Sequence, residues 1–345
     1  MFGLDISDRT LRLVSLKKKR KKIIIESASE ISVTPGIINE GEISKPELLF
    51  PLISSLIHNA KPKHPNSKKV AACVPERKSF IKVLHLPNDT KLTDEIVQSE
   101  LINHIPDDLT SMYIDWKSIN NDTDFESVLV GAVPKSIVDS YQAVIAKAKL
   151  IPHVLEIESS AIVRAITPAK PTNPNEGILI IDIGLDRTSF IIFDHLTIQF
   201  TSADTAISGN LMTSLLMKNL SLSYEKAEKA KRLCGLSKTL GKGAVAAVLN
   251  DQFETLVSKI KQIISFYQDH YTDKSHISSI LLTGGGANLI DLENKLITKL
   301  KIKIQKGDSL LNVTQNNVDF INAKTQTSYT TAIGLALRGL EYDKS

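Results

Sequence analysis

The chain carries one short pattern twice, about half its length apart. DISDRTLRLV, Asp5 to Val14, returns as DIGLDRTSFII, Asp182 to Ile192. Each copy is an aspartate ending an apolar run, a small residue, Asp-Arg-Thr, and a second apolar run. Such a repeat predicts two related domains with a ligand held where they face each other. The 345 residues, 42% of them hydrophobic, suffice for two or three cores at roughly 150 residues per domain.

Apolar alternation predicts strands at Phe2 to Ile6, Leu11 to Leu16 and Lys22 to Val33, and a matching set at Ile178 to Ile183, Ser189 to Phe193 and Leu196 to Ser202. Between the two sets the periodicity predicts a helix at Pro46 to Ala60 and strands at Lys69 to Val74 and Ser79 to His85. A helix at Leu92 to Ile105 closed by Pro106, strands at Met112 to Ile119 and Ser127 to Val133, and a helix at Lys135 to Leu150 follow. Thr167 to Gly177, with three prolines, reads as a linker. Helices dominate beyond the second set, at Ser208 to Leu220, Tyr224 to Leu233, Lys242 to Tyr271, Leu289 to Lys299 and Tyr329 to Leu340. The expected fold class is α/β, a duplicated two-lobe fold. Its first half begins in 1–78, takes a small α+β insertion at 79–150 and finishes in 151–170 with a connecting helix. Residues 177–345 form the second half, with a helical subdomain.

Each copied turn follows an aspartate at a strand end. The small residues Ser7 and Gly184 let the backbone approach an anion, and the amides of residues 8–10 and 185–188 can point at phosphate oxygens. Asp5 and Asp182 then face each other across the cleft, a pair of carboxylates suited to Mg²⁺ beside substrate phosphates. A third signal is SILLTGGGANLIDLENKL, Ser279 to Leu296, where a buried strand runs through three glycines into a helix. Such a turn can pack against a flat or phosphorylated ligand. It is no P-loop, since neither G-x-x-x-x-G-K-[ST] nor G-x-G-x-x-G occurs.

Several function classes are excluded. Asp5 and Asp8 stand where a signal peptide needs an apolar core, and the longest nearly uncharged apolar stretch, Leu48 to Ile57, is half of the ~20 residues a span requires. A cytoplasmic protein is expected, with any membrane contact peripheral. Cys73 and Cys234 lie far apart, so neither a disulfide framework nor a thiolate metal site is suggested. The net charge of +4 comes from KKKRKK at residues 17–22; without it 36 basic residues face 38 acidic ones, which argues against a nucleic-acid-binding surface. The tract reads as a solvated turn between strands, with the anionic inner leaflet as the surface it would meet. No His-x-x-x-His or His-Glu-x-x-His spacing suggests zinc, and no Gly-x-Ser-x-Gly elbow suggests a serine hydrolase.

Two hairpins and a glycine turn in this order resemble the superfamily of actin, FtsA, heat-shock chaperones and hexokinase, a ribonuclease H-like fold. Within it, ISGNLMTSLLMKNLSLSYEKAEKAKR (Ile207 to Arg232), IISFYQDHY, LLTGGGANL and SYTTAIGLALRGL are similar in order to the PilM family of type IV pilus assembly proteins. So is the middle block PERKSFIKVLHLPNDTKLTDEIVQSELINHIPDDL, and the likeness covers nearly the whole chain. The resemblance implies an ATP-binding assembly protein, an ATPase slow at most, at the inner face of the membrane. Its partner is the cytoplasmic tail of a PilN-like single-span protein, and assembly with further copies of the chain stays open.

The same resemblance implies the site. Ser7, Asp8, Arg9 and Thr10 form one phosphate hairpin and Gly184, Leu185, Asp186, Arg187 and Thr188 the other. Asp5 and Asp182 face Mg²⁺, and Gly284, Gly285 and Gly286, with Asn288 after them, hold the adenosine. Glu158 orients a metal-bound or attacking water, Glu228 and Lys231 reach the ribose and base, and Gly209 and Asn210 open the helix before them. Ser7 stands where the family usually has glycine, which bears on the γ-phosphate contact. Two alternatives remain. A sugar-kinase type phosphotransferase would need a catalytic aspartate, for which Asp204 is the candidate; an FtsA-like division protein would carry a terminal amphipathic helix, which ALRGLEYDKS does not suggest.

Overall fold

The computed structural model describes residues 1–87, 92–105, 108–119, 125–169, 176–270 and 276–342. The first half opens with the meander β1 (Phe2–Ile6), β2 (Thr10–Lys19) and β3 (Lys22–Ser32). A two-rung ribbon of β4 (Ile38–Asn39) and β5 (Glu42–Ile43) leads into α1 (Pro46–His58), which has a proline in its first turn and buries Leu49, Ile53 and Leu56. β6 (Lys69–Val74) then returns parallel to β1.

The inserted block contains β7 (Phe80–Pro87), α2 (Asp94–Leu101), β8 (Met112–Ile119) and β9 (Phe125–Pro134). Its sheet runs β7-β9-β8, and Leu84, Leu86, Val97, Leu101, Val128 and Val130 form a core of its own. α2 starts where Thr93 accepts a hydrogen bond from the Ile96 amide, and it ends short of the expected Ile105; Pro106 lies outside the described residues. α3 (Lys135–Lys147), β10 (Ile151–Ile157) and α4 (Glu158–Ile166) follow. The proline-rich linker falls largely at 170–175, also outside the described residues.

The second half repeats the plan with β11 (Gly177–Ile183), β12 (Thr188–Asp194) and β13 (Thr197–Asp204). Then come α5 (Gly209–Leu220), α6 (Tyr224–Cys234), α7 (Ala244–His270), β14 (Ile277–Thr283), α8 (Leu292–Leu300), β15 (Lys303–Lys306), β16 (Gln315–Asn316) and α9 (Thr330–Tyr342). One sheet is ordered β10-β6-β1-β2-β3-β16 and the other β13-β12-β11-β14-β15. Read from the meander inward, β3-β2-β1-β6-β10 and β13-β12-β11-β14-β15 are one order. The directions match too, two antiparallel pairings followed by two parallel ones. The duplication seen in two short segments is therefore a duplication of whole sheets.

Two segments pack differently from the expected division. The buried face of α3 (Ile137, Tyr141, Val144, Ile145) joins the first lobe's core rather than the insertion's, so the block with its own core is 80–134 rather than 79–150. Helix α9, expected with the second half, packs through Ala332, Ile333 and Ala336 into the first lobe's core. Glycine makes that approach feasible: a Cβ on Gly3 would lie 2.3 Å from the Ala332 carbonyl oxygen, and one on Gly334 1.8 Å from that of Ala161 on α4. No helix among the described residues is long and apolar enough to cross a membrane.

Candidate functional site

Both copied turns join adjacent strands at the end of their sheets. In the first, the Ser7 amide and hydroxyl donate to the Thr10 carbonyl at 3.1 and 2.9 Å; in the second, the Gly184 amide donates to the Arg187 carbonyl at 2.8 Å. A Cβ at Gly184 would sit 2.9 Å from that carbonyl, so glycine there serves the turn itself. Ser7 stands in the equivalent place because its hydroxyl helps close the turn. The amides of Asp8, Arg9, Leu185 and Asp186 donate to no described acceptor.

An ion pair joins the two hairpins, with Arg9 Nε donating to Asp186 Oδ2 at 3.0 Å. Asp186 Oδ1 accepts from Asn210 Nδ2 on the first turn of α5. Arg9 Nη1 is buried without a hydrogen-bond partner, a donor left over between the hairpins. Asp8, in contrast, turns toward its own lobe and accepts from the Gly41 amide at 2.9 Å, while the Gly41 carbonyl accepts from the Tyr141 hydroxyl at 3.0 Å. Asp5 and Asp182 occupy the same penultimate strand position beside the hairpins. Burial pushes Asp5 up to about 7 against the pull of Arg12, 3.7 Å away. Burial does the same to Asp182, also to about 7, with the charges of Glu158 and Asp5 adding to it.

The three glycines divide their work. Gly284 has φ +78°, and a Cβ there would meet the Ile183 carbonyl oxygen at 2.5 Å and Asp182 Oδ1 at 2.8 Å; one on Gly286 would meet Ile183 Cγ2 at 2.2 Å. These two let β14 press against the end of β11. Gly285 is exposed, and a Cβ on it would have nothing nearer than Ser328 Oγ at 3.7 Å. Only this glycine offers open backbone to a ligand. Asp291 in the left-handed region delays α8 to Leu292, past the expected Leu289.

The family model for the type IV pilus assembly protein PilM matches residues 3–340. The chain belongs to the PilM family. Among solved structures, the PilM-PilN type IV pilus biogenesis complex superposes with a TM-score of 0.82 at 20% identity, covering 98% of each chain. The ethanolamine utilization protein EutJ from Carboxydothermus hydrogenoformans follows at 0.59 and 14%, over 97% of this chain and 88% of that one. MreB 5 of Spiroplasma citri bound to AMPPNP gives 0.56 and 12%, over 99% and 96%. These place the chain in the actin-like fold. No curated protein matches the sequence.

The residues carried over from PilM proteins are held as follows. Glu158 opens α4 and is buried, and its Oε2 accepts from Arg187 Nη2, which raises the Arg187 pKa. A carboxylate so paired has less freedom to orient a water. The Lys231 ammonium, buried at 8% exposure, donates to the Gly209 carbonyl (2.9 Å), Thr213 Oγ1 (2.7 Å) and Glu228 Oε2 (2.7 Å). All three of its protons are thereby committed, and the pair expected at the ribose clamps α6 to the start of α5. The Gly209 and Asn210 amides in turn donate to the carbonyls of Gly184 (3.1 Å) and Leu185 (2.8 Å), which fixes the second hairpin. Asn288 donates to Thr327 Oγ1 and accepts from Lys306, so its side chain braces the glycine turn. Asp204 caps its own turn, accepting from the Ala206 amide at 2.8 Å.

One residue of the cleft escaped the sequence reading. Glu76 is buried, and its Oε2 accepts from the Ser159 amide at 3.1 Å at the start of α4. Burial raises its pKa, against the opposing pull of the Thr201 and Ser159 hydroxyls. Its only signal in the sequence is a charge two residues after the apolar run Val70 to Val74, across Pro75.

The donor set fits Mg²⁺. Among the described residues no group of three His, Cys, Asp or Glu side chains could cage an ion. Two carboxylates whose ionisation burial opposes suit a hard cation that keeps waters and takes its remaining ligands from phosphate.

Proposed function

We propose that the chain binds ATP with Mg²⁺ between its lobes and serves pilus assembly by docking the cytoplasmic tail of a PilN-like single-span protein. The observation that carries the nucleotide reading is the Arg9–Asp186 ion pair, which brings the two copied hairpins and their undonated amides to one place. The fold is shared with a protein solved with AMPPNP, which supports the same reading. Asp5 and Asp182 would hold the metal, whose charge offsets that of the phosphates. Gly285 would lie against the adenosine. The docking role rests on family membership together with the likeness to the PilM-PilN complex. The partner's own span would then keep the chain at the inner face of the membrane.

Titration calorimetry of Gly285→Val tests the cleft. Because a Cβ there makes only an ordinary van der Waals contact with Ser328 Oγ, the variant should fold and melt like the parent, while ATP affinity falls at least about tenfold, or ~1.4 kcal/mol. Unchanged affinity would remove the adenosine assignment. A synthetic peptide of the PilN cytoplasmic tail tests the docking role, and no binding to the ATP-loaded chain would reject it.

A further inference from the structure

The end of the first-lobe sheet opposite the hairpins collects positive charge. β2 and β3 run on past Phe2, which pairs with Ser15, and close at Lys19 and Lys22 around a turn whose Arg20 has φ +57°. Residues 17–22 are all exposed. Ten residues of β2 set this tip about 30 Å from Thr10 and the phosphate hairpin. The neighbouring loop is bridged to β3 through Ala28 and Lys61, and it adds exposed Lys61, Lys63, Lys68 and Lys69. Ile151 pairs with Lys69, which places exposed Lys149 and Ile151, 51% accessible, along the same sheet end. Glu26 is the carboxylate within this patch, and it is taken by Lys17 at 3.7 Å and Lys63 at 2.7 Å. Lys19, Arg20, Lys21 and Lys22 pair with no described carboxylate.

A cluster of uncompensated cations repels itself, and an anionic surface relieves that repulsion. We propose that this sheet end is a docking face for an anionic lipid bilayer. Its chemistry favours lipid over nucleic acid. Five of the six tip residues are lysine, a point charge suited to a diffuse surface potential, rather than the arginine fork that reads phosphate and base edges. Residues 17–22 and 61–69 contain no Phe, Tyr or Trp on which bases could stack. Exposed Ile151 would lie at the headgroup level.

The test is co-sedimentation of the full chain with phosphatidylcholine vesicles, with and without a third of phosphatidylglycerol. Each basic residue near the surface multiplies partitioning by about fivefold, so losing three contacts costs about 100-fold. The variant carries Lys17→Ser, Lys18→Ser, Lys19→Ser, Arg20→Asn, Lys21→Ser and Lys22→Ser; asparagine keeps the left-handed turn. Its binding to anionic vesicles should fall at least that far, with ATP affinity and melting unchanged. Raising salt from about 0.1 M to about 1 M should release the parent chain. If the hairpin variant misfolds, Lys63→Ser with Lys68→Ser and Lys69→Ser carries the test, with at least about a tenfold loss expected. Equal binding by folded variants, equal binding to neutral vesicles, or displacement from the vesicles by duplex DNA would each overturn the proposal.

Discussion

At the scale of single residues, the site is defined by carboxylates the fold does not want charged. Asp5 and Asp182 both titrate near 7 in the folded chain, chiefly because burial opposes their ionisation. A carboxyl raised in this way contributes stability below its unfolded value near 3.8, and that contribution is lost as pH rises through about 7. The metal-free protein should therefore lose stability from these sites between about pH 4 and about pH 7. Asp182→Asn keeps the shape and removes the charge. In chelator, its melting temperature should equal the parent's near the acid end and exceed it near the alkaline end, the gap growing with pH. Parallel melting curves across that range would mean that the carboxylate is not strained by burial.

At the scale of elements, the sequence reached the strands further than the roles. Strand β8 spans the predicted Met112–Ile119, and β1 the predicted Phe2–Ile6, because alternation and flanking turn residues act locally. Loss of legibility began where tertiary contact decides. β10 and the four-residue β15 are parallel strands recognisable only by their neighbours, and the packing of α9 on β1 and on α4 depends on Gly3 and Gly334 respectively, whose use no periodicity reveals. At the candidate site, the hairpin aspartates stand out in the sequence because the motif occurs twice. The commitment of Lys231 to α5 could not, since it needs Gly209 and Thr213 brought to it from another helix. Lys231→Met should therefore destabilise the nucleotide-free protein by roughly 2–4 kcal/mol, because three acceptors lose a buried cation. Denaturant unfolding without ATP measures this. A loss confined to ATP affinity, with full stability, would return Lys231 to the ribose.

At the scale of the whole molecule, the duplicated sheets account for the cleft but not for the insertion, which the second half lacks. That block keeps its own core and meets the second lobe along β7, an edge strand, facing β13, also an edge strand. Between them Ser79 to Lys82, Gln199 to Thr201 and Phe266 line a cavity of about 230 Å³. Two sheet-edge strands facing each other beside apolar side chains suit an extended peptide, which gains main-chain hydrogen bonds from the edge and specificity from the pockets. The residues proposed to hold the nucleotide belong to other elements: hairpins, glycine turn and α5 all lie outside 80–134. The block can also be cut cleanly, because Phe80 pairs with Ala132 and so brings its two ends together. Excising 80–133 and joining Ser79 to Pro134 through a short glycine-serine linker keeps α3 and most of its core contacts, including Tyr141 over Gly41, at the cost of Ile81 and Val133 from the first lobe's core. The shortened chain should melt as one cooperative unit and bind ATP within about threefold of the parent, roughly 0.7 kcal/mol. Its affinity for the PilN-tail peptide should fall below detection by calorimetry. Peptide binding that survives in a folded, ATP-competent deletion would move the docking surface onto the duplicated lobes themselves.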